Sequence, residues 1–149
     1  MPPRLFYTDE YPLPLPPGHK FPISKYRLLR TRLQQTNLFA LKPAPLAGRE
    51  AITLAHAANY VDDFLYGRLS DAAIRRIGFP WSPELVTRTL ASVGGTVAAT
   101  EQAISAQWCG TLAGGTHHAF ASEGSGFCVF NDVAVAIRKL QSERRYERF

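Results

Sequence analysis

The residues best suited to chemistry in this chain are two adjacent histidines, His117 and His118. They sit among small residues, with Gly114-Gly115-Thr116 before them and Ala119 after. Neighbouring side chains of an extended segment point to opposite sides, so both rings can address one reactive centre only where the backbone turns. Glycines permit such a turn and allow close backbone approach to a ligand. Imidazoles titrate near neutral pH as a class, and two of them with no Lys or Arg nearby in sequence can serve as acid and base. The same pair also fits two core or surface histidines bonded to backbone carbonyls. Taken alone, the pair leaves both readings open.

The elements around the pair must position it. Ser82-Pro83-Glu84 reads as a helix start, with a capping hydroxyl, a favoured first residue and an anion at the positive end of the helix dipole. Val86, Leu90, Val93, Val97, Ile104 and Trp108 follow at helical spacing. The residues between them are largely Ala, Gly, Ser and Thr and include Gly94-Gly95. Each of these glycines costs a helix about 1 kcal/mol relative to alanine, which fits a core helix with neighbours close on several sides. Residues 109–131, CGTLAGGTHHAFASEGSGFCVFN, then hold five of the eleven glycines. So long a connection is uncommon in a compact domain and is usually functional or disordered. Phe120, Phe127, Cys128, Val129 and Phe130, with almost no charge, argue against disorder. Asn131 or Asp132 is expected to cap a last helix that turns Val133, Ile137 and Leu140 inward.

Seven of the eleven prolines fall within residues 2–22, so the N-terminal stretch is expected to be looped apart from a short strand over 4–8. Ile23, Tyr26, Leu29 and Leu33 predict an amphipathic helix, with Lys25, Arg27, Arg30 and Arg32 on its other faces. Residues 41–48, with Pro43, Pro45 and Gly48, read as a connector. Short helical pieces are expected over 49–65 and 71–77. His19 falls in a loop, and His56 is expected in the core. Asp62 and Asp63 occupy adjacent helical positions that do not face each other, which fits a solvated surface.

Length and composition bound the class. A chain of 149 residues predicts a single domain, and 46% apolar with 19% charged residues excludes disorder and coiled coil. The net charge of +5 raises a nucleic-acid partner, but eight cations lie in residues 1–49, five in 138–149 and none in 89–137. No helix carries a basic stripe interleaved with aromatics, so no specific nucleic-acid partner is expected. No apolar run approaches the roughly 18 residues of a membrane span. Met1-Pro2-Pro3-Arg4 does not open a secretory signal, and Cys109 and Cys128 form neither a disulfide framework nor a CxxC zinc pair. A reducing, cytoplasmic setting is expected.

The string GGTHHAF…GSGFCVFND resembles the catalytic loop of the histone deacetylase family, zinc-dependent deacylases of the arginase/deacetylase fold. His117-His118, Gly126-Phe127-Cys128 and Phe130-Asn131-Asp132 carry the likeness. IGFPWSPELVTRTLASVGGT (77–96) looks like the helix before that loop in the class IV and related bacterial branch. PPGHKFPISKY (16–26) is similar to the same branch's opening.

The resemblance implies that His118 is the general base and His117 its electrostatic and hydrogen-bonding partner. It implies that the Gly126 carbonyl accepts the substrate amide N–H and that Phe127 walls a narrow acyl-lysine channel. Cys128 would pack behind the site, and Gly114 and Gly115 would keep the turn tight. Asn131 and Asp132 are read as helix caps rather than catalytic residues.

One part of the pattern is missing. The family holds zinc with two aspartates and a histidine, the first pair as Asp-x-His, and this sequence contains no Asp-x-His. Its aspartates are Asp9, Asp62, Asp63, Asp71 and Asp132. Gly78-Phe79-Pro80-Trp81 stands where many members carry an acidic rim residue. The resemblance therefore implies that residues 1–149 are the N-terminal part of a deacetylase domain. Its fold would be a truncated three-layer α/β arginase/deacetylase type, helix-rich with few parallel strands. Zinc is expected for the complete domain, with no ligands identifiable here, and the substrate would be an acyl-lysine protein or an acylated small amine. The alternative is an inactive fragment or a non-catalytic interaction module. Without its later strands such a sheet exposes an edge, which predicts marginal stability.

Overall fold

In the computed structural model, which describes residues 2–143, Tyr146 and Arg148, the first element is strand β1 (Arg4–Tyr7). Leu5 and Phe6 are adjacent and both buried, as expected of a strand covered on both faces. β1 is the middle strand of a parallel sheet. β2 (Ala40–Pro43) pairs with it on one side and β3 (Cys109–Thr111) on the other, with Leu5 opposite both Leu41 and Gly110. Both outer strands fall in segments expected to be irregular. Residues 41–43 are strand rather than connector, and residues 109–111 are strand rather than loop. Each is too short to show an alternating pattern, and proline or glycine within it reads as a turn signal.

Pro43 is tolerated because of its register. Ala40 donates to the Pro3 carbonyl at 2.9 Å and Ala44 to the Tyr7 carbonyl at 2.8 Å. Successive backbone amides alternate in direction, so the Pro43 nitrogen faces away from β1, where no donor is required.

Helix α1 (Ser24–Thr36) links β1 to β2 where the spacing predicts it, yet none of its residues is buried. Leu28 and Leu29 are exposed. The helix is attached largely through polar groups. Arg30 bonds Asp9 at 2.8 Å and lies over the Tyr7 ring. Three short helices follow, α2 (Arg49–Ile52), α3 (Ala58–Leu65) and α4 (Asp71–Ile77), within the ranges the sequence indicates.

The core helix is α5 (Pro83–Ala106), begun by the Ser82 hydroxyl, which accepts the Leu85 N–H at 3.0 Å. It stops two residues before the expected periodic pattern does, because Gln107 adopts a left-handed conformation at φ 62. Trp108 is therefore outside the helix and exposed. The buried face is Leu85, Arg88, Ala91, Val93 and Val97, with Val86 and Leu90 only partly covered. The small residues have a specific cause: a Cβ on Gly94 would collide with the Pro45 backbone.

The last helix, α6 (Asp132–Ser142), is capped by Asn131, whose side chain accepts the Ala134 N–H at 3.0 Å. Its inward residues are Val135, Ala136 and Leu140, whereas Val133 is exposed and Ile137 half-buried. The expected inward set was displaced at Val133. The main core gathers Ile52, Val61, Phe64, Ile77, Leu85, Val93, Phe130 and Val135, and so joins α2–α6 to the end of the long loop. No helix among the described residues is long and apolar enough to cross a membrane. The basic Arg144 and Arg145 of the C-terminal cation cluster lie outside the described residues.

Candidate active site

The backbone turns at the glycines. Gly114 and Gly115 have φ of +108 and +72, and the His117 N–H then donates to the Gly115 carbonyl at 2.9 Å. A Cβ on Gly114 would collide with the Asp132 carboxylate and with the Thr96 hydroxyl. The turn brings both rings to one side: the His117 and His118 centroids are 4.2 Å apart. His117 Nδ1 lies 2.8 Å from the Gly115 carbonyl and must carry a proton to bond it.

The second half of the loop is strapped to α4. Gly126 and Phe127 donate their N–H groups to the carbonyls of Arg76 at 3.1 Å and Ile77 at 2.7 Å. Phe127 is held at φ 65, a left-handed conformation that costs a non-glycine residue about 1–3 kcal/mol and concentrates at functional sites. Its ring joins Phe21 and Phe79 at centroid distances of 5.2 and 5.0 Å in an aromatic wall. His19 braces that wall. Its Nδ1 accepts the Phe21 N–H at 3.1 Å, its Nε2 bonds the Gly78 carbonyl at 2.9 Å, and its ring stacks on Phe79.

These parts enclose one cavity of about 250 Å³. The structure brings Gly114, Gly115, His117, His118, Gly126, Phe127 and Cys128, all singled out in the sequence, to its lining. His118 abuts Gly126: a Cβ there would lie 3.5 Å from the His118 ring. Cys128 is buried, and burial pushes its thiol up, consistent with a packed residue rather than a nucleophile.

Several residues at the site escaped sequence reading. Lys25, Tyr26 and Arg88 also line the cavity. Arg88 is buried, donates to the Thr8 carbonyl at 2.9 Å and lies 4.2 Å from the Tyr26 ring centroid. Burial pushes the Arg88 guanidinium down and the Tyr26 phenol up. The spacing gave no signal for Arg88: it is the only Lys or Arg between residues 83 and 106, but on a helical wheel it lies opposite the stripe of Val86, Leu90, Val93 and Val97. Asp132 does more than sit at a helix start. It is wholly buried and holds the histidine turn from below. Tyr60 lies in the core behind this loop, donating its hydroxyl to the Val129 carbonyl at 2.7 Å, and burial pushes its phenol well above the usual range.

No group of three or more His, Cys, Asp or Glu among the described residues is placed to hold a metal ion. The described residues by themselves offer no ligand set for the zinc that the family resemblance implies.

The histone deacetylase domain family matches residues 19–149 of this chain. The chain belongs to that family. An uncharacterized protein of Picosynechococcus sp. is 41% identical over 138 residues, 91% of this chain and 46% of that protein. The acetoin utilization protein AcuC of Staphylococcus xylosus is 28% identical over 141 residues, 85% of this chain and 37% of its own length. An HDAC homolog from Aquifex aeolicus has a TM-score of 0.74 at 25% identity, covering 96% of this chain and 42% of that one. An HDAC homolog complexed with SAHA has a TM-score of 0.75 at 25% identity, covering 95% and 41%. The chain thus spans less than half the length of each of these relatives. The fold is the corresponding part of the α/β arginase/deacetylase type, helix-rich with a three-stranded parallel sheet.

Proposed function

We propose that this chain is the acid–base and channel-forming, N-terminal part of a zinc-dependent deacetylase domain, which removes acyl groups from lysine side chains or acylated small amines. The observation that carries this reading is the pairing of His117 and His118 beside Gly126 and Phe127 around one cavity. In the reaction, His118 takes a proton from the attacking water and returns one to the leaving amine, so it ends the cycle unchanged. His117 supplies a hydrogen-bonding and electrostatic neighbour. The Gly126 carbonyl accepts the substrate amide N–H, and Phe127 provides an apolar wall for the acyl-lysine stem. The likeness to a homolog complexed with SAHA supports a ligand of the acyl-lysine kind. Zinc, in this reading, is held by residues other than those described here. Two free cysteines suit a reducing compartment, and we place the protein in the cytoplasm.

The test is expression with the coding sequence that follows Phe149, assayed on an acetyl-lysine peptide. The expected result is chelator-sensitive hydrolysis by the extended protein, lost in His118→Ala, and none by the 149-residue chain alone. Hydrolysis that survives His118→Ala overturns the acid–base assignment. An extended protein that neither binds zinc nor hydrolyses the peptide turns the reading to an inactive fragment or interaction module.

A further inference from the structure

We propose that Asp132 is a positioning residue for His117, acting through the peptide group between Gly115 and Thr116; the inference rests on the acid–base reading of the histidine pair. Asn131 already caps α6, so the helix does not need a second cap at Asp132. The Asp132 side chain is nonetheless wholly buried. A buried carboxylate must be matched by donors, and every donor here comes from the histidine turn or from α5.

One oxygen, Oδ2, accepts the Gly115 N–H at 2.9 Å and the Thr96 hydroxyl. The other, Oδ1, accepts the Thr116 N–H at 2.8 Å. The Thr116 hydroxyl lies 2.8 Å from Oδ1 and 2.5 Å from the Phe130 carbonyl, and donates its single proton to one of them.

The Thr116 N–H and the Gly115 carbonyl are the two ends of one peptide group. Its N–H end faces the carboxylate, while its carbonyl end accepts both the His117 N–H at 2.9 Å and the His117 Nδ1 proton at 2.8 Å. Hydrogen bonds in series polarise one another, so charge at the N–H end makes the carbonyl a better acceptor. That carbonyl holds the proton on Nδ1 and leaves the lone pair on Nε2. Asp132 thereby selects the tautomer of His117 without touching its ring. A carboxylate that merely anchored the turn would place the Gly115 carbonyl beside Nδ1 but would not strengthen it as an acceptor.

Long-range ¹H–¹⁵N imidazole spectra of the 149-residue chain, recorded above the histidine titration, read this directly. In the unaltered chain His117 is expected in the Nδ1–H form by roughly tenfold, equivalent to about 1.4 kcal/mol. His19 supplies the opposite reference, since its Nδ1 accepts from the Phe21 N–H. In Asp132→Asn the His117 ratio is expected to fall several-fold while His19 is unchanged. Asn131→Ala weakens the start of the same helix and is expected to lower the melting temperature with the His117 ratio unchanged. If Asp132→Asn does not fold, the unaltered chain still decides: equal tautomers, or an Nε2–H majority, at His117 overturns the proposal. So does an Asp132→Asn ratio equal to that of the unaltered chain. None of these readings needs turnover, so their failure leaves the deacetylase reading standing. Hydrolysis surviving His118→Ala would fell that reading without moving the His117 spectrum.

Discussion

His56 accepts the backbone N–H of Asn131 on Nε2 at 2.9 Å, across 75 residues of sequence. With Nε2 accepting, the proton must be on Nδ1, which faces the Ala121 carbonyl at 3.3 Å. One buried, neutral ring thus ties the end of the α2 segment both to the loop after the histidine pair and to the residue that starts α6.

That ring makes stability depend on pH. Burial pushes His56 below its ordinary value of 6.5, so the unfolded chain binds the proton more readily than the folded one. The contribution is fully present above about pH 6.5 and is lost as pH falls below that value. Protonation of Nε2 also removes the acceptor for the Asn131 N–H. Urea midpoints measured at pH 7.5, 6.5, 5.5 and 5.0 should fall over the acid half of this range, and His56→Gln should flatten the decline. A midpoint constant from pH 7.5 to 5.0 would contradict it.

The Gly114 turn should tolerate nothing larger. Gly114→Ala places a Cβ at φ +108 against the Asp132 carboxylate and is expected to cost about 3 kcal/mol or more, combining backbone strain with a disrupted hydrogen-bond set. At Gly115 the φ is +72 but no atom lies within 4 Å of an added Cβ, so Gly115→Ala should cost about 1 kcal/mol. Denaturant melts of the two variants check the order. Equal costs would show that space below the turn is not what limits residue 114.

Cys128 should behave as packing. Its thiol is buried and pushed up by that burial, so a disulfide reagent at pH 7.5 should modify it only as fast as the chain opens. Adding urea below the unfolding midpoint should speed its labelling in step with the population of opened chain. Rapid labelling of Cys128 in the native chain would point to a reactive thiol at the cavity.

Much of this architecture is legible in the amino-acid sequence. Ser82-Pro83-Glu84 starts α5 and Asn131 starts α6, because capping chemistry is local and leaves its mark on the sequence. The glycines of residues 109–131 likewise announce a turn near the histidine pair. Strands β2 and β3 are hidden because their pairing with β1 is non-local and each is only a few residues long. Val133 misled because inward-facing positions on a short helix depend on where α5 lies, which the spacing within α6 does not reveal. Arg88 and Asp132 are polar groups in the interior, and hydropathy places such residues outside unless their partners are known. The aromatic wall of Phe21, Phe79 and Phe127 joins three segments, so no one stretch of sequence displays it.

The two borders of the sheet are chemically unequal. Along the outer side of β2, alternate amides fall at Leu41 and Pro43, and the proline has no hydrogen to give. Along β3, the Leu112 N–H turns inward to the Phe6 carbonyl, which leaves the amides of Cys109 and Thr111 directed outward. Lateral extension is therefore disfavoured at one margin and permitted at the other, and any polypeptide that continues this sheet will most readily align beside Cys109-Gly110-Thr111.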